Sequence, residues 1–394
     1  MRLTVSSKSV FYSLVCIYPF ANILVCYIFK GENMNTFSVI YCGMLIGILL
    51  IYDKCVCKQF FYYAIWGVLT VALSIKRESE IIYISSALMF VVTTFCFLFF
   101  SEKYVNIEEF GKYIICEKHV CYVIQTAYFL ILLIHYMQYG LKAGWNTWVL
   151  QGPYNYPHTL SYLLLFFALM DIFLWIRAKS GIGLCFAGIS VALALLTAVR
   201  VALLSAVIMV LFILWRFMVG KNIRKLLFCL VVGGVGIAIA YKVGLLEALI
   251  EKTRLAVARG NISNGRGNII KTSLKALTMD KSKGVFNSVF GIGMKQLLAS
   301  NKENMEAAIH AHNDLIDVFV CYGVGNLFFY MHSLYKFVRK YRVWFLLCIG
   351  MLVLGNGLFM YIDAVPMLLF IRLFFERTFA VDGDSCKEVS NKRR

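Results

Sequence analysis

Charged side chains are scarce in this sequence, and acidic ones are the scarcest. They make up 15% of the 394 residues, whereas 61% of the residues are hydrophobic. A soluble domain is about 25% charged and roughly 45–50% apolar. The composition therefore excludes an ordinary soluble domain. It predicts that residues 1–394 form a single integral membrane domain, buried in lipid and in itself.

The shortage of acidic residues leaves a formal net charge of +18, from 39 basic and 21 acidic side chains. Such a charge can indicate a nucleic-acid partner. In a chain with many apolar segments, however, basic residues usually lie in cytoplasmic loops and set the orientation in the membrane. No nucleic-acid partner is therefore expected.

The thirteen cysteines form no recognisable framework. Most of them lie within apolar runs, as Cys96 and Cys229 do, where cysteine behaves as a small hydrophobic residue. Cys55 and Cys57 form a Cys-x-Cys pair, but further ligands at a suitable spacing are absent from the sequence around them. No metal site is predicted, and the cysteines are interpreted as free thiols in a reducing cytoplasm.

Apolar runs of about 17–20 residues are candidates for transmembrane helices, because a hydrocarbon layer of roughly 30 Å needs about 20 residues. The sequence predicts an all-α polytopic membrane protein of about 12 transmembrane helices. The predicted helices cover residues 10–29, 36–52, 60–75, 81–100, 119–138, 159–176, 181–198, 201–219, 226–245, 315–335, 343–360 and 361–376.

Lysine and arginine concentrate in alternate loops, which sets the orientation by the positive-inside rule. With the N-terminus inside, the basic groups at residues 54–58, 216–225 and 336–342 all fall on the cytoplasmic side. Short loops on the other side, such as that at Lys30, carry far fewer. Both termini are thus expected in the cytoplasm, and residues 246–312 are expected to form a long extracytoplasmic loop.

Residues 246–312 are the only long hydrophilic segment of the sequence. From residue 242 to residue 310 the chain carries eleven basic side chains, Arg259 among them, and five acidic ones. A loop of more than about 60 residues is largely exempt from the positive-inside rule, so this charge needs another reason. Lipid head groups or a phosphate-bearing substrate would supply one. Ile270, Leu274 and Leu277 follow helical spacing and predict an interfacial amphipathic helix.

Two arginines are candidates for binding an anion. Arg200 interrupts an apolar run at the predicted outer end of a helix, where an arginine is either paired or extends to the interface. Arg266 lies between Gly265 and Gly267, and flanking glycines let backbone N–H groups approach a ligand closely. A flexible basic turn is the alternative interpretation of this second position.

Two of the six histidines, His310 and His312, stand directly before an apolar helix that Asn313 or Asp314 can cap. Histidine can act as a general base near neutral pH. Asp314 and Asp317 share one helical face, so they can orient a histidine, bind sugar hydroxyls or pair with an arginine. Interfacial histidines beside an ordinary helix cap are the alternative.

The segment of residues 145–158 is aromatic and polar, and it ends in Pro157 and His158. It lies on the same predicted outer face as the long loop. An aromatic belt at the membrane interface is one interpretation. Stacking of sugar rings on tryptophan or tyrosine is the functional one.

Four stretches, in their order and spacing, resemble motifs of the O-antigen ligase and polysaccharide polymerase family of bacterial envelope enzymes. The resemblance covers roughly residues 150–335. The stretches are Gly152-Pro153-Tyr154-Asn155-Tyr156-Pro157-His158-Thr159-Leu160, Thr197-Ala198-Val199-Arg200, Gly265-Arg266 with Phe290-Gly291-Ile292-Gly293, and His312-Asn313-Asp314-Leu315 with Gly323.

The resemblance implies glycan transfer from undecaprenyl diphosphate at the outer face of the bacterial cytoplasmic membrane, without a metal or other cofactor. A polymerase passes the glycan to another lipid-linked repeat unit, and a ligase passes it to a lipid A core sugar. The polymerase is favoured because such enzymes vary most in sequence. The implied partners are the undecaprenyl-diphosphate-linked oligosaccharide, membrane lipid, and a chain-length regulator and flippase of the same pathway.

The resemblance also implies roles for individual residues. Arg200 and Arg266 would bind the donor diphosphate and stabilise its charge as it leaves. His312 would deprotonate the acceptor hydroxyl, oriented by one of the two nearby aspartates. The residues expected to contact the substrate are His310, Asn313, Asp314, Asp317, Arg259, Pro157 and His158.

Two other classes of protein stay open at this stage. A transporter or flippase for a lipid-linked sugar would suit twelve helices, but it would place charged residues near the middle of several of them, and the sequence has few. A scaffolding membrane protein would use the long loop to bind a partner.

Overall fold

The structure is a computed structural model. It describes residues 7–29, 34–52, 54–78, 80–101, 104–143, 148–200, 238–244, 246–258, 266–278, 284–305, 308–338, 362–363 and 365–375, and the single residues 204, 207, 235, 353 and 357.

Within these residues the chain is mostly helical, as the composition predicts. The helices with defined bounds are α1 (Ser7–Ile28), α2 (Met34–Tyr52), α3 (Lys54–Arg77), α4 (Ile81–Phe99), α5 (Ile107–Cys116), α6 (Lys118–Tyr139), α7 (Pro157–Ala178), α8 (Gly181–Leu196), α9 (Glu247–Ala258), α10 (Arg266–Ala276), α11 (Gly284–Phe290), α12 (Met294–Met305), α13 (Asp314–Tyr322), α14 (Val324–Val338) and α15 (Val365–Phe375). Two short antiparallel strands, β1 (Lys142–Ala143) and β2 (Trp148–Val149), form a hairpin between α6 and α7.

Four of the described helices, α1, α4, α6 and α7, are long and apolar enough to cross a membrane, and α2 and α8 are shorter apolar helices. All six coincide with predicted spans. The spans predicted over residues 201–219, 226–245 and 343–360 lie largely outside the described residues. The architecture is that of a helical membrane protein, and the total of about 12 spans stays a prediction.

The span predicted over residues 315–335 is two helices, α13 and α14, divided at Gly323. Gly323 has a φ of 86°, a conformation that residues with a side chain rarely adopt. A Cβ at this position would clash with the backbone carbonyl of Val289. The helix is interrupted because two backbone segments approach each other closely at this point, which helical periodicity does not reveal.

The close approach is reciprocal. Gly291, with a φ of 79°, would clash with the backbone of Cys321 if it carried a Cβ. The N–H of Ile292 donates to the carbonyl of Val320 at 2.8 Å, and that of Gly293 donates to the carbonyl of Cys321 at 3.0 Å. The loop between α11 and α12 is therefore docked on the C-terminal end of α13.

A buried carboxylate joins the first two helices to a late part of the chain. Asp363 accepts hydrogen bonds from Tyr18 at 2.6 Å and Asn22 at 2.9 Å on α1, and from Ser38 at 2.5 Å on α2. It also accepts one from Thr159 on α7 at 3.3 Å. Several donors satisfy a carboxylate whose burial would otherwise be costly. The network thereby fixes the start of α7, which carries two residues of the candidate site.

The segment predicted as a long polar loop contains the short helices α9 to α12. The predicted amphipathic helix is present as α10, and its buried side chains are Ile269, Ser273 and Ala276. Of the predicted stripe, Leu277 is buried just beyond the end of the helix, whereas Leu274 is exposed. Asn301 on α12 donates to the hydroxyl of Ser273 at 3.1 Å. The buried face differs from the prediction because α10 packs on α12 through small and polar side chains.

Candidate functional site

The candidate site begins at the turn that precedes α13. Asn313 caps this helix, since its side-chain oxygen accepts hydrogen bonds from the N–H groups of Leu315 at 3.0 Å and Ile316 at 3.3 Å. His312 has a φ of 54°, a left-handed conformation that is uncommon for residues other than glycine. The surrounding structure must maintain such strain, which is concentrated at functional sites in proteins.

Asp317 holds His310 in place. Nδ1 of His310 lies 2.9 Å from Oδ2 of Asp317, whose side chain is fully buried on α13. The other carboxylate oxygen accepts a hydrogen bond from the N–H of Ala311 at 2.7 Å. The N–H of His312 also lies 3.2 Å from this Nδ1. Because a carboxylate only accepts, the contact with Asp317 favours the tautomer with its proton on Nδ1, in which Nε2 of a neutral His310 is the acceptor.

This pairing corrects the expectation that an aspartate orients His312. The N–H groups of Ala311 and Asn313 both point to the Asp317 carboxylate, the second at 3.4 Å. The turn thus wraps around the carboxylate, and His310 is the histidine that faces it. The spacing of residues along the sequence cannot show which of two nearby histidines a turn presents.

His312 lies beside this pair. The rings of His310 and His312 have centroids 4.2 Å apart. Burial, followed by the nearby charges of His310, Arg266 and His158, lowers the pKa of His312 to about 3. Nδ1 of His312 is buried and has no hydrogen-bond partner among the described residues. His312 is therefore neutral at physiological pH, and its Nδ1 is available to form a hydrogen bond with a ligand in the site.

A lysine completes a group of three cations. Lys252 on α9 donates to the carbonyl of Ala198 at 3.2 Å. Burial, followed by the charges of Arg200 and Arg266, lowers the pKa of Lys252. In the part of the chain that the structure describes, neither Lys252 nor Arg200 forms an ion pair with an acidic residue. Like charges are therefore gathered at one place.

The segment that brings Arg200 to this group contains a second strained residue. Thr197 ends α8 by donating its hydroxyl to the carbonyl of Ala194 at 2.7 Å. Ala198 then has a φ of 51°, which an alanine seldom adopts. The chain turns sharply at Ala198, whose carbonyl accepts the hydrogen bond from Lys252, and Arg200 follows two residues later.

The structure describes nine of the ten site residues predicted from the sequence. It brings together Arg200, Arg266, His158, His310 and His312. Pro157 occupies the first turn of α7, directly before His158. Asp314 is buried and accepts a hydrogen bond from Tyr330 on α14. Arg259 lies outside the described residues.

Sequence reasoning missed Lys252 because it is one of eleven basic residues in its segment. Its neighbour Arg254 forms an exposed ion pair with Glu251 at 3.1 Å, which is how most charged residues of such a segment behave. The signal that distinguishes Lys252 is its burial beside two arginines, and that burial is visible only in three dimensions.

The arrangement is complementary to a multiply charged anion. Each of the three cations raises the energy of the others, and an anion bound beside them would offset that repulsion. Arg266 stands at the N-terminal end of α10, where the helix adds a partial positive charge. The adjacent His310–Asp317 pair can accept a proton from a hydroxyl group. Anion binding and proton transfer are therefore available side by side.

The fold and the site define a helical membrane protein with a cationic, histidine-containing site built from helix ends and from the middle of α9. Comparisons with protein families, curated proteins and solved structures find no match for the chain. The function is therefore inferred from the chemistry of this site.

Proposed function

We propose that the protein is a membrane glycosyltransferase of the polysaccharide polymerase type. It transfers a glycan from undecaprenyl diphosphate onto a second lipid-linked repeat unit at the outer face of a bacterial cytoplasmic membrane. The observation that carries this proposal is the meeting of Arg200, Lys252 and Arg266 with the His310–Asp317 pair.

The three cations suit the diphosphate of the donor. A polyprenyl diphosphate keeps its tail in the bilayer, so its charged group must be met at the membrane surface, where apolar helices such as α7 and α8 end. An arginine fork matches a pair of phosphate oxygens. Negative charge grows on the diphosphate as the glycosidic bond breaks, and fixed cations stabilise that charge.

In this proposal His310 is the general base, in place of His312. The carboxylate of Asp317 accepts a hydrogen bond from Nδ1–H of His310, so Nε2 is left to accept the proton of the acceptor hydroxyl. His312, which is neutral and has a pKa of about 3, is a weaker base and contributes to substrate binding.

The chemical step then balances with groups of the chain and the two substrates alone. The acceptor oxygen forms a bond to the anomeric carbon, and its proton passes to Nε2 of His310. The bond between the anomeric carbon and the diphosphate oxygen breaks, and the electron pair leaves with the diphosphate. Attack on the face opposite the diphosphate inverts the anomeric centre.

A flippase for the lipid-linked sugar is the second candidate function, and one observation favours it. Asp171 is buried within α7, where its carboxylate accepts a hydrogen bond from Gln125 on α6 at 2.7 Å. Ionisable residues at such depth are frequent in transport pathways. The cationic cluster, however, lies after the end of α8, in the middle of α9 and at the start of α10, and neither α9 nor α10 is long and apolar enough to be a span. This position favours the transferase.

The test is the length of the surface glycan in cells that carry His310→Asn or Arg266→Gln at normal membrane levels. Both variants are expected to leave a single lipid-linked repeat unit. Loss of the general base in His310→Asn costs about 100-fold or more in rate, and Arg266→Gln loses a cation that stabilises the leaving diphosphate. The matched controls are His119→Asn, exposed at the start of α6, and Lys271→Gln, exposed on α10. These controls are expected to make glycan of full length.

The other outcomes identify the other functions. Long polymer that stays on the lipid carrier indicates a ligase that has lost its acceptor step. Repeat units trapped on the inner face indicate a flippase. Full-length surface glycan in both site variants would overturn the proposal.

A further inference from the structure

A second concave site lies apart from the histidines, between the C-terminal end of α3 and helices α11 and α12. It is a cleft of about 400 Å³. This volume falls in the range of roughly 300–1,000 Å³ that is common for small-molecule sites. The polar and aromatic residues that line it include Arg77, Glu78, Phe286, Asn287, Lys295 and Gln296.

Glu78 is the residue of this cleft that most needs a ligand. Its side chain is 2% exposed. One carboxylate oxygen accepts a hydrogen bond from the N–H of Met294 at the start of α12. The other oxygen, Oε2, is buried and has no hydrogen-bond partner among the described residues. A buried carboxylate oxygen without a donor is costly, so a ligand with a hydrogen-bond donor would stabilise it.

The charges around the cleft are balanced, unlike those of the cationic cluster. Arg77 donates to the carbonyls of Phe290 at 2.6 Å and Gly291 at 2.9 Å. Lys295 forms an ion pair with Glu80 at 2.8 Å. An anionic ligand would meet Glu78 and a cationic one would meet Arg77, so a neutral ligand is favoured. Hydroxyl groups can both donate to a carboxylate and accept from amide groups.

An exposed aromatic ring stands at the edge of the cleft. Phe286 is 56% exposed, and its ring centroid lies 4.8 Å from that of Phe290. Gln296, also exposed, offers an amide on the adjacent helix α12. A flat apolar ring beside hydrogen-bonding side chains matches a sugar, which has one apolar C–H face and a rim of hydroxyl groups.

We propose that this cleft binds sugar residues of a neutral oligosaccharide chain. The inference rests on the proposed function and assigns the cleft to the acceptor glycan. Helix α13 connects the two sites, since Asp317 lies near its start and the Gly291–Gly293 loop is bonded to its end. Asp317 and Cys321 are four helical residues apart, so the two attachment points lie roughly 6 Å apart along the axis of α13. An acceptor of a few sugars would reach from the cleft to His310.

The test is saturation-transfer NMR on the full-length protein in lipid nanodiscs, with cellotriose, maltotriose and diacetylchitobiose as probes. We expect at least one of these sugars to bind the wild type. The double variant Phe286→Ala/Gln296→Ala is expected to bind it about tenfold more weakly, since it loses a ring contact and a hydrogen bond. The matched control is Val285→Ala, next to Phe286 and 83% exposed.

The His310→Asn variant separates this proposal from the proposed function. It should keep sugar binding while it loses transfer. Binding that is lost in the cleft variant but kept in Val285→Ala and His310→Asn supports the cleft, even if the wild type transfers no glycan. Absence of binding by all three sugars, or binding that the cleft variant retains, would overturn the inference.

Discussion

Oδ2 of Asp317 and Nδ1 of His310 lie 2.9 Å apart, and this contact decides which histidine of the pair has its proton position fixed. The two residues are seven positions apart. The backbone N–H groups of the turn between them, at Ala311 and Asn313, donate to the carboxylate of Asp317. A histidine whose Nδ1 proton is fixed in this way presents Nε2 as an acceptor of known direction. The neighbouring His312, with its low pKa, lacks this support.

The first prediction concerns Asp317→Asn. The amide keeps the shape of the side chain but no longer favours the Nδ1 proton of His310, so the rate of transfer should fall about 100-fold or more. The turnover number should fall while the KM for the lipid-linked donor changes little. The measurement is steady-state kinetics with purified protein in liposomes.

A double variant checks that the two residues act as a unit. Residues that act together show non-additive effects. Asp317→Asn/His310→Asn should therefore be no slower than His310→Asn alone. Independent, multiplying effects would mean that Asp317 acts on the fold of the turn and not through His310.

The second prediction concerns Lys252→Gln and anion binding. A hydrogen bond to a charged group contributes about 1.5–3 kcal/mol, so the variant should bind inorganic pyrophosphate about 10- to 100-fold more weakly. The measurement is the rise in thermal unfolding temperature on addition of pyrophosphate, which stabilises only the state that binds it. Lys271→Gln, exposed on α10, is the control and should respond like the wild type. An equal response in both variants would remove Lys252 from the anion site.

The third prediction concerns the pH dependence of stability. The pKa of His312 is about 3 in the folded chain, against about 6.5 when unfolded, so between these values the unfolded state binds the extra proton. Stability should therefore be lost as the pH falls below about 6.5, by about 1.4 kcal/mol per pH unit from this residue. As the pH is lowered from 7 to 5, the thermal unfolding temperature should fall less steeply for His312→Asn than for the wild type. His119→Asn should keep the wild-type slope, and a common slope in all three proteins would contradict the burial of His312.

The fourth prediction concerns Gly291, which supports the end of α13. An alanine there would have a φ near 79° and a Cβ in contact with the Cys321 backbone. Gly291→Ala should lower the free energy of unfolding by about 1–3 kcal/mol. Gly284→Ala, where a Cβ meets open space, is the control and should be close to neutral in thermal unfolding. A neutral Gly291→Ala would mean that the loop is not docked on α13.

The sequence predicted that the chain is a helical membrane protein, and it selected residues that the structure places near one another. Arg200 could be selected because it interrupts an apolar run, and Arg266 because glycines flank it. The two histidines could be selected because they stand directly before an apolar helix. Their convergence depends on the turn at Ala198 and the turn at His312. Both turns use left-handed backbone at residues that carry a side chain, for which the sequence has no reliable signal.

Two features escaped prediction for different physical reasons. The break at Gly323 arises from a backbone contact with Val289, and a helical pattern of apolar residues continues through it. Lys252 and Glu78 are ordinary charged residues by sequence, and only their burial in three dimensions distinguishes them. The periodic pattern of apolar residues indicates which face of a helix is apolar, but it does not indicate which loop packs against that face.

The most direct test uses lipid-linked oligosaccharides extracted from cells in which this gene is deleted, given to the purified protein in liposomes. The wild type should lengthen the lipid-linked glycan and release one undecaprenyl diphosphate for each new glycosidic bond. His310→Asn should do neither, while His119→Asn should match the wild type. Release and lengthening by His310→Asn at the wild-type rate, or neither event with the wild type, would contradict the claim that this site transfers glycan.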